Sequence, residues 1–344
     1  MAWSLALSPA PALGTSTHQP QEASVPNPMP ATSLVGTAYR DFADRERSNW
    51  LQTGPRPLRT ILWYPRTEET TPETENTTSC PKPRTGDTPP AGSTDKRPLV
   101  LISHGSGSRA RDMDWLGHAL AARGIIAAAV EHNGSEEEEL RSKPTPSDHF
   151  SWERARDLSV VLDRLLDDPE FGRIIDCERI GAAGFSLGGT TVLRVAGARL
   201  DLAYLQRNAP AVPAFLAPAI KRLLQLPQVN DAARLSQQRA EQSYRDQRIR
   251  GVFALAPAMG FGFTKEGLSD IGVPVEIVVG DIDPVAPPAG NARHFARNVR
   301  GARYIELPGE RGHFSPATPE RERAAELEEV ATVAGTFFEG IFRD

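Results

Sequence analysis

The pentapeptide Gly184-Phe185-Ser186-Leu187-Gly188 constrains this chain more than any other stretch. It follows the apolar run Arg179-Ile180-Gly181-Ala182-Ala183 and precedes Gly189 to Ala198, where Val192, Leu193 and Val195 share an apolar helical side. A strand must therefore turn into a helix within a few residues. Glycines two before and two after the serine remove side chains that so tight a turn cannot house. The strained turn lifts the serine Oγ clear of the backbone and sets it at a helix N-terminus, where partial positive charge collects. A strand–turn–helix of this kind belongs to an α/β fold with a mostly parallel central sheet flanked by helices.

A serine hydroxyl at neutral pH is a poor nucleophile. It needs a base, and the base needs an orienting acid. Downstream, Val273-Pro274-Val275-Glu276-Ile277-Val278-Val279-Gly280 reads as a buried strand rich in β-branched residues, ending at Gly280-Asp281-Ile282-Asp283-Pro284. A helix-like stretch from Asn291 to Val299 follows, then the short strand Arg303-Tyr304-Ile305-Glu306-Leu307, which runs into Pro308-Gly309-Glu310-Arg311-Gly312-His313-Phe314. An acid thus stands after one strand and a histidine after the next, both at C-terminal strand ends, the edge where open α/β sheets build their sites. Ser186, Asp283 and His313 form the candidate triad. Asp281 is the rival acid, and Asp283, three past the glycine, has more room to swing into a site.

Acyl chemistry also needs two backbone N–H groups aimed at a developing oxyanion. Leu187, the residue after the nucleophile, supplies one. The strand Pro98-Leu99-Val100-Leu101-Ile102-Ser103 opens into His104-Gly105-Ser106-Gly107-Ser108-Arg109, whose glycines let backbone approach a substrate closely, so Ser106 or Gly107 is the candidate for the other. His104 reads either as a residue that shapes this loop or as part of a pocket wall.

These motifs resemble those of α/β-hydrolases, specifically the bacterial predicted dienelactone hydrolases related to platelet-activating-factor acetylhydrolases. The resemblance is carried by Arg56-Pro57-Leu58, Leu62-Trp63-Tyr64-Pro65, Leu101-Ile102-Ser103-His104-Gly105, Gly184-Phe185-Ser186-Leu187-Gly188-Gly189, Ala254-Leu255-Ala256-Pro257, Gly280-Asp281-Ile282-Asp283 and Gly312-His313-Phe314, spread over about residues 34–343. It implies an α/β-hydrolase fold and a serine hydrolase acting on carboxylic esters, with no metal or organic cofactor. Two departures stand out. Dienelactone hydrolases carry a cysteine where this chain has Ser186. The acetylhydrolases place their acid after the strand that follows the nucleophile, whereas here that strand, Arg250 to Ala256, ends in Pro257-Ala258-Met259-Gly260 without a carboxylate, so the role falls to Asp283.

A chain of 344 residues accommodates one large α/β core with insertions. Its net charge of −5 and lack of a basic stripe argue against nucleic acid as a partner. No apolar stretch reaches the length of a membrane span. Cys80 and Cys177 lie far apart in different contexts, which predicts no disulfide between them. Residues 1–33 are rich in Pro, Ala and Ser without helical or strand period and read as disordered. Met1 to Leu13 has apolar character but no preceding Lys or Arg, so it is a poor signal peptide as it stands, and export or cytoplasmic residence both stay open. Residues 66–97 have too few aliphatics to order themselves and read as a flexible insertion.

The core is expected over 34–199 and 248–344. Between them, 200–247 reads as a helical cap, with apolar residues from Leu202 to Leu226 followed by a more polar helix from Asn230 to Tyr244. Such an insertion is placed to wall a pocket for a small-molecule ester. His104, His132, Phe185, Phe215, Met259 and Phe314 are its candidate lining residues, and the charge run Glu136 to Glu139 is read as a solvated loop face. The expected chemistry is an acyl-enzyme on Ser186, with rate falling as pH drops through the histidine titration. Other acyl-transfer or hydrolytic chemistry fits the same motifs, of a phospholipase A2, platelet-activating-factor acetylhydrolase, thioesterase or peptidase type. So does a silent binding protein on the scaffold. Nothing in the motifs sets an oligomeric state.

Overall fold

The computed structural model describes residues 34–50, 52–66, 96–134, 151–208, 217–225, 231–314 and 320–343. The readings made for residues 1–33, most of the 66–97 insertion, Cys80, Glu136 to Glu139 and Phe215 lie outside the described residues.

Two strands open the fold, β1 (Val35–Ser48) and β2 (Pro55–Pro65), paired antiparallel from Val35↔Pro65 onward. Beyond them come β3 (Arg97–Ser103), α1 (Asp114–Ala122), β4 (Ile126–Val130), α2 (Ser151–Leu166), β5 (Ile175–Phe185) and α3 (Leu187–Val195). Three short helices follow, α4 (Leu202–Asn208), α5 (Ala217–Gln225) and α6 (Asp231–Gln238). The chain closes with β6 (Ile249–Leu255), α7 (Lys265–Leu268), β7 (Val275–Gly280), α8 (Ala292–Asn298), β8 (Arg303–Leu307) and α9 (Glu320–Ile341). All eight strands form one sheet in the order β1-β2-β4-β3-β5-β6-β7-β8.

Composition explains the two halves of that sheet. β1 alternates buried and exposed positions, as an edge strand with one wet face should. β3, β4, β6 and β7 are near-continuous runs of buried Val, Ile, Leu and Ala, the pattern of strands covered on both sides. From β4 across to β8 every neighbouring pair is parallel.

Register then decides where the chemistry collects. Ser103 pairs with Gly184, Phe185 with Leu255, Leu255 with Val278, and Gly280 with Leu307. The C-terminal ends of β3, β5, β6, β7 and β8 are therefore level. The loops leaving them hold His104–Arg109, Ser186, Pro257–Gly260, Asp281–Asp283 and Pro308–Phe314 side by side.

In α2, Trp152, Ala155, Leu158, Val161, Leu162 and Leu165 are all buried, the three-and-four spacing of a helix face laid on a sheet. The same helix also buries Glu153, Arg154 and Asp157, so its first two turns are enclosed nearly all round. At the far end, the Phe337, Phe338 and Phe342 rings of the C-terminal segment pack against one another, and a Cβ at Gly181 would collide with Phe338 and one at Gly251 with Ile341. Among the described residues no helix is long and apolar enough to cross a membrane.

Candidate active site

Ser186 sits at φ 54°, ψ −116°, a left-handed backbone that an L-residue adopts only under constraint. Its N–H donates to the Leu255 carbonyl at 2.8 Å, and its own carbonyl accepts from the Thr190 and Ala258 N–H groups, each at 3.2 Å. The flanking glycines have no alternative. A Cβ at Gly184 would overlap the Gly188 carbonyl, and one at Gly188 would overlap the Ser103 carbonyl oxygen of the neighbouring strand. Several non-glycine residues at the same sheet edge share the strained backbone: Ala256 (φ 44°), Met259 (φ 60°), Glu310 (φ 60°) and Phe314 (φ 53°). Strain of this kind, of order 1–3 kcal/mol per residue, concentrates where a site must hold an exact shape.

The structure brings Ser186, His313 and Asp283 together. His313 Nε2 lies 2.9 Å from Ser186 Oγ, and His313 Nδ1 lies 2.6 Å from Asp283 Oδ2. Asp283 is 2 % exposed, and a buried carboxylate needs donors on both oxygens. Its Oδ1 accepts the N–H groups of Val285 (2.9 Å) and Ala286 (2.8 Å), while Oδ2 takes the imidazole. That leaves His313 with Nδ1 as donor and Nε2 facing the hydroxyl, the tautomer a general base requires. Asp281 is engaged elsewhere, its carboxylate accepting the backbone N–H groups of Arg311 (2.8 Å), Gly309 (3.2 Å) and Glu310 (3.3 Å). It pins the turn that carries His313.

Leu187 opens α3, so its N–H has no carbonyl one turn behind it to bond within the helix. Ser106 and Gly107 lie exposed at the tip of the loop after β3, in a turn closed by the Ser108 N–H on the Gly105 carbonyl (3.4 Å), with Gly107 at φ 68°. Phe185 is half-buried, its ring 5.0 Å from that of His313 and against the Gly105 backbone. Met259 and Phe314, both 6 % exposed, stand in the loops after β6 and β8.

Two lining candidates are corrected. His104 is 0 % and His132 1 % exposed, so neither faces a space that water can reach. They belong instead to a buried polar network beneath the loop after β3. His132 Nδ1 donates to Asp157 (2.9 Å) while its Nε2 lies 2.9 Å from Ser103 Oγ. Burial, with the Arg154 charge beside it, drives the His132 pKa down to about 3 against the pull of Asp157. Asp157 also takes Arg56 through both oxygens (2.7 and 2.8 Å) and Arg47 (2.6 Å). Burial opposes its ionisation, but these guanidiniums and the imidazole outweigh that cost and hold the carboxyl well below the usual range. Arg47 continues to Asp44 (2.6 Å) and Glu153 (2.8 Å), and Glu153 accepts from Ser236 (2.6 Å) and Arg239 (2.9 Å) around α6. Sequence reasoning did not reach Arg47, Arg56, Glu153, Arg154 or Asp157 as a unit. The available signal was four charged residues, Glu153, Arg154, Arg156 and Asp157, in the first two turns of a helix with an apolar stripe.

Comparison with known proteins agrees with this architecture. The family model described as "Alpha/beta hydrolase family" matches residues 99–328. Cutinase 2 of Thermobifida cellulosilytica is 23 % identical over 227 residues, covering 64 % of this chain and 62 % of that protein. Cutinase cut1 of Thermobifida fusca is 23 % identical over 227 residues, covering 64 % of this chain and 51 % of its own length. The chain thus spans less than two thirds of the length of these curated relatives. The solved structure of a ferulic acid esterase from Streptomyces cinnamoneus superposes with a TM-score of 0.62 at 21 % identity, over 91 % of this chain and 92 % of the other, a likeness of fold.

Proposed function

This chain belongs to the alpha/beta hydrolase family, and we propose that within it the protein is a serine hydrolase that cleaves carboxylic esters of small molecules through an acyl-enzyme. The observation that carries the reading is the unbroken hydrogen-bonded line from Ser186 Oγ through His313 to Asp283. His313 takes the hydroxyl proton as Oγ attacks the ester carbonyl, and Asp283 stabilises the imidazolium that forms. The oxyanion is held by the Leu187 N–H and by one from the loop after β3. The alcohol leaves with the proton from His313, and water repeats the sequence to release the acid. The matches to cutinases support ester cleavage in particular.

Two finer assignments belong to the same proposal. The chain's motifs support kinship with the predicted dienelactone hydrolases and acetylhydrolases, with a serine nucleophile and an acid moved to the loop after β7. The helices α4, α5 and α6, inserted between the nucleophile helix and β6, serve as the cap that shapes the acyl or alcohol side of the pocket. The same machinery would serve thioesters or phospholipid esters, and substrate profiling separates these.

The test is hydrolysis of p-nitrophenyl esters from acetate to palmitate, with Ser186→Ala alongside. Turnover that falls at least about 10⁴-fold in the variant is expected, since removing a triad nucleophile leaves only binding and oxyanion stabilisation. An unchanged rate in Ser186→Ala refutes the assignment. Labelling of Ser186 by a fluorophosphonate without turnover means a working nucleophile with a narrower substrate.

A further inference from the structure

The Gly105–Ser106 peptide is held from one side with unusual thoroughness. Its carbonyl oxygen accepts from His104 Nδ1 at 2.8 Å and from Arg154 Nη2 at 3.3 Å, and the Ser108 N–H approaches at 3.4 Å. The other arm of the Arg154 fork, Nη1, donates to the His104 carbonyl at 2.8 Å. Arg154 is 1 % exposed and His104 0 %, so these donors reach the loop from inside the protein. In a planar trans peptide the N–H points opposite to the C=O. A Gly105 carbonyl drawn inward therefore turns the Ser106 N–H outward. Ser106 is exposed, and the loop there runs against Phe185 and Gly188, which bracket Ser186 in sequence.

The proton inventory of the network fits this picture. His104 Nε2 accepts the His132 N–H at 3.4 Å, which leaves the imidazole proton on Nδ1, facing the Gly105 carbonyl. His132 in turn is oriented by Asp157 and Ser103. Arg154 Nη2 lies 3.2 Å from the same Nδ1, and burial with that charge beside it keeps the ring neutral, so Nε2 carries no proton.

We propose that Arg154 and His104 are positioning residues that lock the Gly105–Ser106 peptide with its N–H toward the reacting carbonyl, making Ser106, and not Gly107, the second oxyanion donor. The lock answers a specific hazard. Glycine on one side of a peptide lets it rotate between two orientations at low cost. A flipped peptide would present a carbonyl oxygen to the oxyanion in place of a donor. A fork that bonds two successive carbonyls suppresses that flip, and a lysine, a single ammonium on a flexible stem, does so only in part.

The inference rests on the serine-hydrolase reading, and its test separates the two. Wild type, Arg154→Lys and Arg154→Met are labelled to completion with a fluorophosphonate to count working serines, and kcat is expressed per labelled Ser186. KM for a p-nitrophenyl ester and the inhibition constant of a trifluoromethyl ketone, which forms a tetrahedral oxyanion on the serine, are measured in parallel. Loss of one oxyanion donor costs about 10²–10³ in kcat. Arg154→Met is expected to lower kcat per labelled site by about 100-fold and weaken the ketone by a similar factor, with KM within about twofold. Arg154→Lys should recover about a tenth of wild-type activity, with ketone affinity tracking it. If the folded fraction falls but kcat per labelled site and ketone affinity stay at wild-type values in Arg154→Lys, Arg154 is only structural and the inference is overturned. A wild-type protein that neither labels nor turns over overturns the serine reading, and the inference with it.

Discussion

At the scale of single residues, two aspartates two positions apart have been given opposite work. Asp283 faces inward with both oxygens bonded and one of them on His313, while Asp281 faces the turn and caps three backbone N–H groups. The difference predicts separable phenotypes. Asp283→Asn should lower kcat by about 10⁴-fold, the size of effect seen when a triad carboxylate is replaced by its amide and the imidazole adopts the wrong tautomer. Asp281→Asn keeps one acceptor for the turn and should cost no more than about tenfold. Parallel kcat measurements on the two variants check this, and equal losses would mean that the acid has been misassigned. Ser186, Asp283 and His313 could be singled out as candidates because each stands in a loop after a strand-like run, and the structure sets them within hydrogen-bonding reach of one another. Arg154 carried no such signal. Nothing local to a helical arginine says that its fork closes on carbonyls 49 and 50 residues earlier in the chain.

At the scale of elements, α2 departs from a surface helix in its first two turns, where Glu153, Arg154 and Asp157 are buried. Three-and-four spacing marks its apolar stripe in the sequence, whereas no local pattern marks Glu153, Arg154 and Asp157 as enclosed. The cost is paid in pH range. His132 is neutral in the fold, with its pKa near 3 against about 6.5 when unfolded, and His104 is lowered too. Below pH 6.5 the unfolded chain binds protons that the folded chain refuses, so stability is full above that pH and declines as pH falls toward 3. His132 loses on the order of 1 kcal/mol per pH unit through that window, and His104 adds a loss in the same direction. Urea midpoints at pH 7.5, 6 and 5 should fall accordingly, and His132→Gln should flatten the slope. A midpoint independent of pH over this range would contradict the neutral buried pair.

At the scale of the whole molecule, the antiparallel β1–β2 pair does more than extend the sheet. It delivers Arg47 and Arg56 to Asp157, across sequence separations of 110 and 101 residues. The strand itself is marked in the sequence by the β-branched and aromatic run Thr60-Ile61-Leu62-Trp63-Tyr64. The ion set is not, because charge partners so distant in sequence are joined only by the sheet order. Breaking a buried pair by removing one partner typically costs 3–5 kcal/mol, since the charge left behind stays out of water. Arg56→Met should therefore lower the unfolding free energy by about that amount in chemical denaturation, while kcat per labelled Ser186 changes little in the fraction that folds. A loss under about 1 kcal/mol would mean that Arg47 alone satisfies Asp157.

The same arrangement has a consequence for how such a chain can be inherited in pieces. The carboxylates of α2 and the guanidiniums of the hairpin are balanced only as a set, yet they are encoded in separate stretches of the gene. If this sequence were shuffled with that of a relative, a crossover anywhere between the hairpin and α2 would keep full stability only when both parents carry the same ions at those positions. The buried charges therefore act as a compatibility tag between two segments that could otherwise be exchanged freely.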